Sequence, residues 1–260
     1  MLPITSLLNN FCMRHILYSL LLLPLLLSCS KDSGSDAPSP GSGIGGSTAR
    51  FTISGNTLYI VSNTDLRAYD ITQSSDPKVG SKTPLGVGVE TIFPYKNNLL
   101  IGTQTGMFIY DISRPDKPQR LGMYTHILSC DPVVAQDNYA FVTLRSGTNC
   151  RNTAANTLDV IDISNLAVPK LIKSYPMKNP HGLGVDGPLL FVGEGDYGLR
   201  VMDVSNPLDL RQVQYFDSTR TYDVIPTQKR LIVTGPDGIY QYSYADLKQL
   251  TFLSKIPVQP

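Results

Sequence analysis

Five polar side chains stand at one repeated place in this 260-residue chain. Arg50, Glu90, Asp131, His181 and Tyr222 each lie nine residues before an apolar position: Tyr59, Leu99, Ala140, Leu190 and Leu231. Asp223 stands beside Tyr222. The set holds acceptors, donors and one aromatic face, which recognition of a small polar or saccharide ligand requires. Glu90 and Asp131 could instead serve as acid and base in a glycoside hydrolase or lyase, with His181 as a third titratable group. Such paired carboxylates stand about 5–5.5 Å apart for retention and about 6.5–9.5 Å for inversion. A solvated rim that binds only water and ions is the plain alternative.

Those positions can share a site only if the chain repeats in space as it does in sequence. A short phrase returns along it: Leu66-Arg67-Ala68-Tyr69-Asp70-Ile71, Met107-Phe108-Ile109-Tyr110-Asp111-Ile112-Ser113, Leu158-Asp159-Val160-Ile161-Asp162-Ile163-Ser164 and Leu199-Arg200-Val201-Met202-Asp203-Val204-Ser205. It fades in Ile239-Tyr240-Gln241-Tyr242-Ser243, with steps of 41, 51, 41 and 40 residues between matched positions. Within each unit, apolar runs of four to seven residues rich in Val, Ile, Tyr and Phe are bounded by Gly, Asn, Asp and Pro. These are strand signals, and no stretch holds a helical period for three turns. About forty residues per unit suits four strands, so the expected fold is all-β, a β-propeller of five four-stranded blades. The blades begin near Arg50, Val89, Cys130, Pro180 and Thr221. A parallel β-helix is the rival, with shorter coils and fewer hairpins. The recurrent Asp ends the third strand before a turn, where a carboxylate can accept backbone N–H bonds.

In a propeller the first strand of each blade lines the axial channel. Its start lies on the same face as the loop between the second and third strands. The polar set is therefore expected as a ring at one mouth of that channel. The third unit carries ten extra residues in that loop, from Arg145 through Asn156, including Cys150, while Cys130 opens the same unit. A Cys130–Cys150 disulfide would pin the loop beside the mouth and contribute roughly 3 kcal/mol by loop closure. Arg145, Asn149 and Arg151 are then further ligand-binding candidates. Two Cys without a nearby His make a poor metal site, so none is expected. Gly193-Glu194-Gly195-Asp196-Tyr197-Gly198 fits G-x-G-x-x-G but joins two strands and opens no helix, so no dinucleotide or other cofactor is implied. No nucleophile elbow or H-E-x-x-H is present.

The N-terminal part reads as an address. Residues 1–28 combine Arg14 and His15 with an apolar run from Leu20 to Leu27 and small residues after it, as in a secretory signal peptide. Residues 29–48 are rich in Ser, Gly and Pro and read as a flexible tether, leaving 49–260 for the repeat domain. Leu26-Leu27-Ser28-Cys29 resembles the lipobox of bacterial lipoproteins, which implies lipidation at Cys29. Cys29-Ser30-Lys31-Asp32 is similar to the start of surface lipoproteins of Bacteroidota. Those likenesses imply an outer-membrane lipoprotein, facing the periplasm or the cell surface. Charged residues make up 17% and the net charge is +1, with no basic run, so nucleic acid is not an expected partner.

The phrases ending Asp162-Ile163-Ser164 and Asp203-Val204-Ser205-Asn206-Pro207 resemble those of LVIVD-repeat proteins, which are extracytoplasmic and propeller-like. The resemblance implies fold and location but carries no shared reaction. The resulting expectation is a lipid-anchored binding module for an envelope protein or a glycan, with the hydrolase or lyase as the alternative and the oligomeric state left open.

Overall fold

The computed structural model describes residues 46–125, 132–146 and 156–258. Cys29, Cys130, Asp131, Cys150 and Arg151 lie outside the described residues, as do the signal and most of the tether. The described chain forms five four-stranded antiparallel sheets, each built from four consecutive strands, and contains no helix.

Blade 1 comprises β1 (Phe51–Ser54), β2 (Thr57–Val61), β3 (Asp65–Asp70) and β4 (Lys78–Pro84). Blade 2 comprises β5 (Val89–Tyr95), β6 (Asn98–Thr103), β7 (Gly106–Asp111) and β8 (Gln119–Thr125). Blade 3 holds β9 (Val133–Gln136), β10 (Tyr139–Leu144), β11 (Thr157–Asp162) and β12 (Lys170–Pro176). Blade 4 holds β13 (Leu183–Asp186), β14 (Leu189–Gly193), β15 (Leu199–Asp203) and β16 (Arg211–Phe216). Blade 5 holds β17 (Asp223–Thr227), β18 (Arg230–Gly235), β19 (Gly238–Ser243) and β20 (Thr251–Pro257). The blades stand in a ring, and residues of all five first strands line a common axial cavity of about 910 Å³. The fold is a five-bladed β-propeller, as the repeat predicts.

The repeat phrase produces the same local structure each time. The ladder between the third and fourth strands shifts register at the same level in every blade, for example between Val160 and Ile161 or Val201 and Met202. Such bulges strengthen the twist of a sheet. The recurrent carboxylate then closes the following turn: Asp70 accepts from the Thr72 N–H at 2.8 Å, Asp111 from Ser113, Asp162 from Ser164 and Asp203 from Ser205, each at 2.8 Å. Hydroxyl bonds from the same Thr and Ser residues, together with these N–H bonds, hold the four carboxyl groups below the usual range. In blade 5 the Ser243 hydroxyl takes over the acceptor's place, 3.3 Å from the Ala245 N–H.

Apolar faces of neighbouring sheets pack together to form the core. Tyr59, Val61, Leu66 and Ala68 of blade 1 meet Ile92, Leu99 and Ile101 of blade 2. Equivalent clusters join blades 2 and 3, 3 and 4, and 4 and 5. At the first strand of blade 1 the chain is held from further upstream than its composition suggests. Ser47, assigned to the tether by sequence, is buried; its Oγ accepts the Leu183 N–H at 2.7 Å and donates to Asp223 at 3.3 Å.

Candidate functional site

The polar set begins at the register that links first and second strands. Tyr222 N–H donates to the Thr234 carbonyl, His181 N–H to Gly193 and Val61 N–H to Arg50, all within 2.7–2.8 Å. Ladder pairing makes Val61, Gly102, Thr143, Gly193 and Thr234 equivalent, because Thr57, Asn98, Tyr139, Leu189 and Arg230 face the recurrent Asp or Ser. Glu90, His181 and Tyr222 therefore occupy one equivalent place, and Ala49 is their counterpart in blade 1. Arg50 is one residue further along, so its equivalence is corrected by one position. The displacement arises in β2, where Leu58 rather than Tyr59 matches Leu99.

Arg50 nevertheless reaches the same cavity. Arg50, Glu90, His181 and Tyr222 line a space of about 360 Å³ together with Thr48, Thr91, Pro132, Arg145, Pro180 and Gly182. An adjoining space of about 570 Å³ shares Thr48, Arg145, His181 and Tyr222 and adds Asn179, Gly195, Asp196, Asp223 and Thr234. This is the upper mouth of the channel, on the side of the loops between second and third strands. Four of the five ring positions and the loop residue Arg145 thus come together; Asp131, the fifth, is outside the described residues.

His181 is the centre of this arrangement. Its carbonyl accepts from Thr143 Oγ1 at 2.7 Å, which fixes the backbone against blade 3. One Arg145 guanidinium nitrogen lies 2.7 Å from Nε2 and 2.8 Å from Nδ1, and Asn179 Nδ2 lies 3.3 Å from Nε2. The Arg145 nitrogen is nearly equidistant from the two ring nitrogens, so its contact does not distinguish between them. The ring is pushed down to a pKa of about 4, first by burial and then by the Arg145 charge, against a smaller opposing pull from Asp196. At neutral pH the imidazole is uncharged, and it stacks on Tyr222 with centroids 5.3 Å apart. Tyr222 is 43% exposed, so the stacked pair presents an aromatic surface to the mouth.

The charges around it are held by the scaffold. Arg50 Nη2 donates to the Val89 carbonyl at 3.0 Å. Burial lowers the pKa of Arg145, while the Glu90 charge opposes that shift. Glu90 also accepts from Gln104 at 3.4 Å. Asp223 is committed elsewhere: it accepts from Thr48 Oγ1 at 2.6 Å, from Ser47 and from the Val224 N–H, and its carboxyl is raised by burial. It anchors the segment leading into β1, a role the sequence did not suggest.

The segment before His181 is held by a fully buried carboxylate. Glu194 takes two bonds from Arg200, at 2.8 and 3.1 Å, and one from the Lys178 N–H at 2.7 Å. Gly195 follows with φ of +58°, and a Cβ there would lie 2.7 Å from His181 Nε2. The glycine-rich hairpin therefore lets β14 and β15 bring Asp196 close to the ring. Sequence reading set this motif aside as a nucleotide loop and so missed its place at the mouth. The signal was available, since it is the loop between second and third strands of blade 4. Thr48 carried no such signal, because it sits in linker composition.

Among the described residues, no three His, Cys, Asp or Glu side chains gather closely enough to hold a metal ion. No helix among them is long and apolar enough to cross a membrane.

The LVIVD repeat pattern matches residues 45–80, 152–176 and 181–215, in blades 1, 3 and 4. The chain carries LVIVD repeats. No curated protein matches it. Among solved structures it is similar to a functionally unknown protein from Desulfotomaculum acetoxidans DSM 771, with a TM-score of 0.64 at 12% identity over 78% of this chain and 67% of that one. A protein from Lactobacillus plantarum gives 0.63 at 13% identity over 78% and 69%. The periplasmic gluconolactonase of Pseudomonas aeruginosa gives 0.60 at 12% identity over 78% and 68%. Across eight of the similar structures the chain spans between 54% and 69% of the other protein's length. Likeness at this identity establishes the fold.

Proposed function

We propose that this protein is a non-enzymatic binding module of the cell envelope that takes a polar group of a glycan or partner protein at the upper mouth. The observation that supports this reading most is the convergence of Arg50, Glu90, Arg145, His181 and Tyr222 on one space of about 360 Å³. Pockets of that size hold small ligands when a few polar groups fix orientation. Sugar hydroxyls both donate and accept. Glu90 supplies an acceptor, the two guanidinium groups supply donors, and the His181–Tyr222 stack supplies an apolar face. The neutral imidazole widens the choice of ligand, because it adds no charge that a hydroxyl group would have to offset.

Lipidation at Cys29 would tether the module to the outer membrane, and a Cys130–Cys150 disulfide would hold the Arg145 loop at the mouth. The anchor is what the lipobox resemblance implies, and the disulfide is an expectation from the placement of the two cysteines. The hydrolase or lyase alternative rests on Glu90 acting with Asp131. Pairing of Glu90 with the Arg145 charge suits a hydrogen-bond acceptor better than a proton donor.

The test is a set of single alanine variants at Glu90, Arg145, His181 and Tyr222, with folding checked by circular dichroism. Each is carried through a glycan array and an affinity capture from cell envelopes. Loss of one ligand in several variants is the expected result. Capture of every ligand at wild-type strength by all four variants would contradict the reading. Fatty-acid labelling that disappears in Cys29→Ala is the separate expectation for the anchor.

A further inference from the structure

The ring has five junctions between neighbouring blades, and one of them is unlike the rest. At the start of the first strand, Ile92, Val133, Leu183 and Val224 are at most 1% exposed. Their counterpart in blade 1 is Phe51, which is 57% exposed. Facing them across each junction are Leu66, Met107, Leu158 and Leu199, again at most 1% exposed. The counterpart in blade 5 is Ile239, which is 44% exposed. The four buried pairs, Leu66 with Ile92 through Leu199 with Val224, each share one core cluster. The fifth pair, Ile239 with Phe51, belongs to none.

The second strands show the same difference along their length. β6 and β14 are buried at every residue, as expected of sheets covered on both faces. β2 and β18 alternate: Tyr59 and Val61 are buried, Leu58 and Ile60 half-buried; Leu231 and Val233 are buried, Ile232 half-buried. Ladder pairing puts Phe51, Ile53, Leu58 and Ile60 on one face of blade 1. It puts Ile225, Ile232, Ile239 and Ile256 on one face of blade 5. Ile256 is 67% exposed. Ser47 and Thr48, hydrogen-bonded to Asp223, join the two blades at the upper end.

These two faces are the complementary halves of the interface that the chain makes four times internally. Blade 5 offers the half that each blade turns to its successor, and blade 1 the half that each turns to its predecessor. We propose that this pair of faces is an interaction surface for a second copy of this chain, blade 5 of one protomer packing on blade 1 of the next. A second copy is the occupant that the residue pattern favours, since it would bring Phe51 and Ile239 together as Ile92 meets Leu66 and Val224 meets Leu199 inside the chain. The chain's own linker fits poorly, because residues 30–45 hold a single large aliphatic side chain, Ile44. Contact through two different faces is heterologous, so it closes into a pair when the rotation permits and otherwise extends.

The experiment uses the full chain in mild detergent. Two differently tagged populations are mixed, one carrying the photo-crosslinker p-benzoylphenylalanine at position 51, and products are mapped by mass spectrometry. A crosslink between the two tags that maps to β19 or β20 is the expected result. A crosslink to β19 or β20 within one chain would overturn the proposal, since the faces would then close on each other. Attachment to another protein, or none at all, would overturn it equally. In sedimentation, the intact chain should self-associate, and Ile239→Lys should weaken that association by at least about tenfold. Leu121→Lys, on an exposed outer strand of blade 2, should leave it unchanged.

Discussion

The two mouths of the axial channel are built from the same repeat and differ in the polar groups that meet there. At the lower mouth, where first and second strands turn, polar side chains fasten one blade to the next. The Tyr95 hydroxyl donates to the Asp137 carbonyl, tying blade 2 to blade 3. Gln136 exchanges two bonds of 2.9 Å with the Gly187 backbone, tying blade 3 to blade 4. Lys229 and Tyr244 meet Asp186 at 2.7 and 3.0 Å, tying blade 5 to blade 4. At the upper mouth, Arg145 of blade 3 meets His181 of blade 4, and both line the smaller space together with Tyr222, Glu90 and Arg50. Structural polar groups satisfy one another across a junction.

The sharpest way to break this contrast is to remove what holds the upper mouth in place. Glu194→Ala leaves Arg200 without its buried partner and frees the Lys178 N–H. Loss of one member of a buried pair costs about 3–5 kcal/mol, which urea unfolding would read directly.

The next effect is a pH dependence set by His181 at the upper mouth. The folded His181 pKa, about 4, lies below its ordinary value of 6.5. The unfolded chain therefore takes up this proton first on acidification. Stability is complete above about pH 6.5 and falls as the pH drops toward 4. The ceiling is about 3 kcal/mol, since each tenfold change in proton affinity is about 1.4 kcal/mol. Denaturant midpoints between pH 7 and 4.5 should show the slope, and His181→Ala should remove that part of it.

A matched pair of glycines sharpens the comparison further. Gly195 at the upper mouth and Gly187 at the lower have φ of +58° and +57°. A Cβ at Gly187 meets nothing within 4 Å, whereas one at Gly195 meets the His181 ring. Gly187→Ala should cost only the backbone term of about 1–2 kcal/mol. Gly195→Ala should cost more and should also shift the His181 resonances, which imidazole NMR would detect. The smallest effect is expected at Lys229→Ala, where the exposed ion pair contributes less than about 1 kcal/mol to thermal stability.

How much of this could be read from residues alone differs by level. The blades were legible because the Asp-Ile-Ser phrase repeats at near-constant steps, and each copy folds into the same strand, bulge and capped turn. Glu90, His181 and Tyr222 share one place because an offset within a repeat becomes a position around a ring. The offset misplaced Arg50 by one residue because Leu58 and Tyr59 are both apolar and either could be matched to Leu99. Asp223 was grouped with the ligand positions, yet its carboxyl is engaged by Ser47 and Thr48. That contact spans most of the chain, and no local pattern encodes it. Glu194 and Arg200 were invisible for the same reason in reverse, since a charged residue in a glycine-rich hairpin normally faces water. The exposed junction was also hidden. Leu58-Tyr59-Ile60 reads like Leu99-Leu100-Ile101, and only the arrangement of blades decides which faces are covered.

The proposed function puts the ligand at the upper mouth and not at the lower. Its most direct test is parallel affinity capture from cell envelopes with wild-type protein, His181→Ala and Gln136→Ala, each bound ligand quantified by mass spectrometry. We expect at least one ligand to fall by about tenfold or more with His181→Ala, a loss of about 1.4 kcal/mol, and to stay at wild-type level with Gln136→Ala. Ligands that survive His181→Ala and vanish with Gln136→Ala would contradict the account.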